Sequence, residues 1–142
     1  INSDLLAKTI IATPHIAGYS FEGKVNGTKM IYDSLCKFLN VNPAWQPKLP
    51  PIEGKDLQLS KGKSDEEKLF KLFSSIYDIE KDPARLREIS YYKLNEQGGY
   101  FDLLRKSYPV RREFSNFTVH ISDNEKHLKA VLENFRFKVK LI

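Results

Sequence analysis

Four of the seven prolines, Pro43, Pro47, Pro50 and Pro51, crowd into one short stretch of the chain. Proline has no backbone N–H and a locked φ, so neither a helix nor a central strand can run through such a stretch. It forms a stiff, extended spacer instead. Residues 41–54 therefore read as a linker, with Trp45 as an aromatic anchor onto one flanking domain. The linker divides the chain into residues 1–40 and residues 55–142. The second part is long enough to bury a core of its own.

In the first part, Asp4 to Lys8 reads as the tail of a helix, and Thr9-Ile10-Ile11-Ala12 as a short buried strand, β-branched and uncharged. A strand this early has nothing before it to pair with, which leads us to expect a chain that begins inside a larger fold. Thr13 to Gly18 is a loop, because Pro14 pushes Thr13 away from helix. A long helix follows from Ser20 to Asn40. Ser20 serves as N-cap, and Glu22 suits the positive end of the helix. Its apolar stripe runs Phe21, Val25, Thr28, Tyr32, Leu35, Leu39, at alternating steps of four and three. Gly23 and Gly27 lie four apart within this helix, each costing up to about 1 kcal/mol relative to alanine. Close approach of another backbone or a ligand is the expected compensation.

The second part reads as a compact α+β unit. Leu57 and Leu59 alternate with Asp56 and Gln58, a strand. Ser64 and Glu67 form a capping box, opening a helix that turns Leu69, Phe73 and Ile76 inward. Asp82-Pro83 opens a second helix, with Asp82 as cap. Gln97-Gly98-Gly99 reads as a break before a third helix, Tyr100 to Tyr108, which Pro109 ends. Phe117, Val119 and Ile121 mark a strand with one wet face. Asp123 caps a helix that buries Leu128, Val131, Leu132 and Phe135. Phe137, Val139 and Leu141 mark a last strand. Three strands, each with one polar face, predict a two-layer α+β domain. Its small sheet is mostly antiparallel or mixed and has helices on one face.

Several chemistries are excluded early. The net charge is +5, from 23 basic and 18 acidic residues, and signs alternate along most of the chain, as on a solvated surface. A nucleic-acid surface built from Arg105, Lys106, Arg111, Arg112, Lys138 and Lys140 would lack exposed aromatic residues between the charges. Arg111-Arg112 beside Glu113 fits an ion-pair site better than a phosphate clamp. One cysteine, Cys36, leaves no intramolecular disulfide and suits a reducing compartment. One cysteine and three scattered histidines also make no finger-type zinc site, so no metal is expected. No apolar run approaches the length that spans a bilayer, so no membrane partner is expected either. The chain holds no G-x-G-x-x-G and no G-x-S-x-G. His120 alternates with strand core residues, and His127 sits among charged neighbours; both read as structural.

His15 stands apart. It follows the short buried strand and precedes a helix N-terminus, in Ala12-Thr13-Pro14-His15-Ile16-Ala17-Gly18. In open α/β sheets, ligands lie in the crevice beyond the carboxyl ends of strands. A histidine there can act as an acid or base near neutral pH, although spacing alone leaves a structural histidine open.

The order of the residues adds to this. T-P-H-x-A-G resembles the catalytic-histidine motif of NAD-dependent D-2-hydroxyacid dehydrogenases. The longer string from His15 to Lys24, with Gly27-Thr28, is similar to one branch of that superfamily, the erythronate-4-phosphate dehydrogenases. Ile76-Tyr77-Asp78-Ile79, Phe101 to Tyr108 and Arg111 to Ser115 resemble that branch's C-terminal dimerisation domain.

The resemblance implies a cytoplasmic, homodimeric enzyme of pyridoxal phosphate (vitamin B6) biosynthesis. It would oxidise 4-phospho-D-erythronate with NAD to 3-hydroxy-2-oxo-4-phosphobutanoate. It implies that His15 is the acid/base, that the Gly18 backbone approaches the cofactor, and that Tyr19 touches the phosphorylated hydroxy-acid substrate. It further implies that residues 1–40 are the last strand, histidine loop and linking helix of a Rossmann-type NAD domain, and that residues 55–142 are the dimerisation domain. The branch's catalytic arginine and glutamate, nucleotide loop and ribose-binding acidic residue find no match here, so the chain alone is expected to be inactive. The competing reading is a free-standing α+β module that binds a small molecule or regulates.

Overall fold

The computed structural model describes residues 2–142. They pack as two units. One comprises Gly18–Leu72 with Arg111–Ile142. The other comprises the described residues up to Ala17 with Phe73–Val110.

The first unit holds helix α2 (Phe21–Phe38), strands β1 (Asp56–Gln58), β2 (Thr118–Ile121) and β3 (Lys138–Leu141), and helix α6 (Lys129–Asn134). The strands form one sheet in the order β1-β2-β3. Both ladders are parallel, with Leu57 opposite Val119 and Val119 opposite Val139. The α+β class is as the sequence implies; within it the ladders run parallel, where the sequence alone allowed a mostly antiparallel or mixed sheet. The reason lies in the connections. Antiparallel neighbours need only a tight hairpin, whereas parallel ones need a crossover. β2 reaches β3 through a 3-10 turn (Asp123–Leu128) and α6, and α6 packs against β3. Val119, Ile121 and Leu132 are fully buried, with Leu128 and Phe137 nearly so. Residues of the other parity, Asp56, Gln58, Lys138 and Lys140, are exposed. Thr118 departs from that alternation and is buried.

The linker has no regular structure, and Trp45 finds its anchor on α2. Its ring meets Tyr32 edge-on at 5.6 Å, while the Tyr32 hydroxyl accepts from the Ala44 and Trp45 amides at 2.9 and 3.1 Å. Ser20 caps α2 as expected, its hydroxyl accepting from the Gly23 amide at 3.0 Å. The predicted stripe is only half-buried toward the start of the helix; Leu35 and Leu39 are exposed, and the buried positions are Glu22 and Cys36.

The second unit holds α1 (Ser3–Lys8), α4 (Lys81–Arg87), a 3-10 turn (Glu88–Tyr91) and α5 (Gln97–Lys106). Its core is Leu6, Leu86, Ile89, Tyr100 and Leu104, flanked by Ala12 and Phe101. Helix α3 (Asp65–Ile76) lies between α2 and α4 in the chain. Ser64 caps it, accepting from the Glu67 amide at 3.2 Å, but the Glu67 carboxylate reaches Lys63 N–H (2.8 Å) instead of closing the box on Ser64.

Several local expectations need correction. Thr9–Ala12 is not a strand: a strand exists only as a pair, and the Thr9 carbonyl accepts from the Arg87 guanidinium at 2.5 Å instead. Ile10 is 90% exposed. Gln97-Gly98-Gly99 is no break but the first turn of α5, where unpaired amides make glycine cheap. Asp82 does not cap α4; it is buried inside the first turn, and the hydroxyls of Tyr77 and Tyr108 donate to it, the latter at 2.8 Å. Ser122, not Asp123, opens the turn before α6, in a capping box with Glu125. Leu72 is the buried residue of α3 rather than its predicted neighbours, and Val131 and Phe135 of the α6 region stay exposed. Among the described residues, no helix is long and apolar enough to cross a membrane.

Candidate functional site

His15 sits at the turn after α1. Pro14 and Ile16 on either side are buried, which throws the His15 side chain outward. The His15 amide donates to the Thr13 carbonyl at 2.9 Å, closing a tight turn around Pro14. His15 has φ of 58°, the left-handed region. Non-glycine residues seldom sit there, and such conformations cost about 1–3 kcal/mol and gather at functional sites. The imidazole lines a largely apolar cavity of about 410 Å³, walled by Leu5, Leu6, Ile11, Leu86 and Phe101. Among the described residues no carboxylate hydrogen-bonds the imidazole. A neutral imidazole beside an apolar wall can accept a proton from a hydroxyl placed in that cavity.

Gly18 and Tyr19 belong to the other unit, ahead of α2. Gly18 has φ of +67°, and a Cβ built on it would meet nothing within 4 Å. A left-handed backbone such as this favours glycine, which carries no Cβ. Tyr19 is half-buried, with the Lys24 ammonium 3.9 Å from its ring centre, a cation–π contact.

The backbone just beyond Tyr19 is held by partners about ninety residues further along. The Ser20 hydroxyl donates to the Glu113 carboxylate. Phe21 N–H donates to the Arg111 carbonyl at 2.8 Å. Glu22, only 6% exposed, accepts from Arg112 Nε at 2.5 Å, Glu113 N–H at 2.9 Å and Asn116 Nδ2 at 3.0 Å. Arg112 also donates to the Pro50 carbonyl at 2.9 Å. Burial opposes the charge on Glu22, but the Glu113 amide and the Arg112 guanidinium outweigh it and hold the carboxyl below the usual range. Arg112 is therefore an ion-pair residue, as its neighbours in sequence suggested. Its partner Glu22 was legible only as a helix-end charge, because no local spacing couples residues so far apart. The Tyr77–Asp82–Tyr108 cluster was equally invisible; its signal was a buried-helix aspartate followed by proline, which also reads as a cap.

His120 Nε2 lies 3.2 Å from Asp56 and His127 Nε2 2.7 Å from Asp65, surface pairs rather than a site. No cluster of three or more metal-ligating side chains occurs among the described residues.

The family described as "Domain of unknown function (DUF3410)" matches residues 48–134, and the chain belongs to it. Three curated relatives share a more telling name, erythronate-4-phosphate dehydrogenase. That of Marinobacter nauticus is 37% identical over 99% of this chain. Those of Cellvibrio japonicus and Yersinia enterocolitica are 43% and 40% identical over 86% and 97% of it. The chain spans only about a third of the length of these relatives, 37%, 34% and 35% respectively.

Proposed function

We propose that this chain is the acid/base-bearing, self-associating part of an NAD-dependent dehydrogenase that oxidises 4-phospho-D-erythronate to 3-hydroxy-2-oxo-4-phosphobutanoate. The observation that carries the reading is the pairing of likeness with geometry. Relatives of that name match nearly the whole chain, and the histidine of T-P-H-x-A-G, on a left-handed backbone, is among the residues that line a cavity.

In this reading His15 takes the proton of the substrate's C2 hydroxyl as the C–O bond becomes a carbonyl. NAD, when bound, would supply the acceptor for the hydride that leaves C2. Gly18 offers backbone without a side chain to the cofactor, and Tyr19 with Lys24 offers a hydroxyl and a cation to the phosphate end. The chain holds no glycine-rich nucleotide loop, so the rest of the cofactor cradle and the carboxylate that would orient His15 must come from elsewhere in a longer protein. Residues 1–40 would complete that NAD domain, residues 41–54 would link, and residues 55–142 would pair two copies in a cytoplasmic homodimer. Exposed Ile10, Ile11, Ile31 and Phe38 are the kind of apolar surface such additional chain would cover.

The test is a graft of this chain in place of the matching third of the Cellvibrio japonicus relative. NADH formation at 340 nm with 4-phosphoerythronate is expected from the graft and not from the chain alone. His15→Asn should lower kcat about 10²–10⁴-fold, the usual worth of a general base. A His15→Asn graft as fast as its parent sinks the proposal.

A further inference from the structure

The turn that leads into α2 is held by its own residues and by one distant segment, Arg111–Asn116. The Gly18 carbonyl packs so closely on Gly23 that a Cβ there would lie 2.7 Å from its oxygen and 2.7 Å from Ser20 Oγ. Ser20 bridges the Gly23 amide and Glu113. Phe21 is bonded to the Arg111 carbonyl, and Glu22 is held by Arg112, Glu113 and Asn116. The Arg112 side chain is 11% exposed and that of Glu22 8%, so this pair is shielded from water, where charge-assisted bonds are strongest.

We infer that Glu22 and Arg112 are positioning residues, through which the segment Arg111–Asn116 sets the backbone of Gly18–Gly23. What that turn binds rests on the dehydrogenase reading; the clamp itself does not. The consequence is a second duty for the segment after α5. Beyond any part in pairing copies, it shapes the stretch that presents Gly18 and Tyr19. A guanidinium fork, whose donors point in fixed directions, suits this duty better than a lysine, whose three donors rotate on a flexible stem.

Two measurements test it. In the isolated chain, Arg112→Met should shift the amide resonances of Gly18, Tyr19 and Gly23 and speed their hydrogen exchange at least tenfold, leaving Val119 and Leu132 unchanged. Arg112→Lys should recover part of the effect. In the grafted enzyme, at a temperature where the variant is fully folded, Arg112→Met should raise KM for the phosphorylated substrate at least tenfold, with a smaller fall in kcat. A merely structural pair would lower the melting temperature and leave KM alone. Unmoved amides at 18–23, or a KM within twofold of the parent in the folded variant, overturns the inference. Should Arg112→Met fail to fold, Asn116→Ala removes one of the bonds to Glu22 and is read by the same two criteria. Changed amides in a chain whose unaltered graft is inactive would uphold the clamp and refute the dehydrogenase.

Discussion

Gly23 and Gly27 sit four residues apart in α2 and should respond to alanine with opposite signs. Helix propensity treats them alike, favouring alanine by about 0.5–1 kcal/mol. At Gly27 nothing lies within 4 Å of a new Cβ, so Gly27→Ala should stabilise the chain by that amount. At Gly23 the new methyl would lie 2.7 Å from the Gly18 carbonyl oxygen. That neighbour is backbone, which cannot swing aside, so the turn must retreat by several tenths of an ångström. Overpacking of this kind costs about 1–3 kcal/mol. The displaced Ser20 cap adds about 1 kcal/mol. Against the propensity gain, Gly23→Ala should be destabilising by about 1–3 kcal/mol. Urea titration followed by far-UV circular dichroism measures both. With m near 1–3 kcal/mol/M, the two midpoints should separate by about 0.5 M or more. If Gly23→Ala is as stable as Gly27→Ala, the close approach of Gly18 is not real and the clamp argument fails with it.

Other outcomes follow from burial and charge. Leu132, fully buried against the sheet, should lose about 2–5 kcal/mol on truncation to alanine, read from the same titration. Glu22 has its native pKa depressed, so the unfolded chain binds the extra proton: its stabilising contribution is complete above the unfolded value of about 4.3 and is lost as pH falls through the native value. Glu22→Gln should therefore flatten the fall in urea midpoint between pH 5 and pH 3. Tyr100 behaves in the opposite sense. Burial and the Glu88 carboxylate, to which its hydroxyl donates at 2.8 Å, push its phenol up to about 12. Burial, then Tyr77 and Asp82, raise Tyr108 as well. Their contributions are complete below pH 10 and disappear as pH rises through the raised values, so absorbance at 295 nm should show Tyr100 and Tyr108 ionising late.

What local chemistry dictates was readable in advance. Ser20 and Ser64 cap the helices that follow them because a hydroxyl one step before the first turn finds its amide without help from distant residues. The alternation around Leu57, Val119 and Val139 marks three strands because a pleated ribbon turns successive side chains to opposite faces. His15 stood out by its neighbours in the chain, and proline and isoleucine do bury on either side of it. Where the structure departs from the sequence signal, that local signal has two meanings. Asp82 before Pro83 reads as a cap, yet two tyrosine hydroxyls draw it inside. Thr9–Ala12 has strand composition, but composition cannot supply the neighbouring strand that pairing requires.

Strand direction, the partner of Glu22 and the reason for Gly23 came only from the packed chain. Each depends on groups dozens of residues apart meeting in space, and hydrogen bonds and van der Waals contacts carry no trace of sequence separation. The order of side chains thus specifies the Ser20 and Ser64 caps and the alternation of the three strands; folding alone brings Arg112 to Glu22 and the Gly18 carbonyl to Gly23.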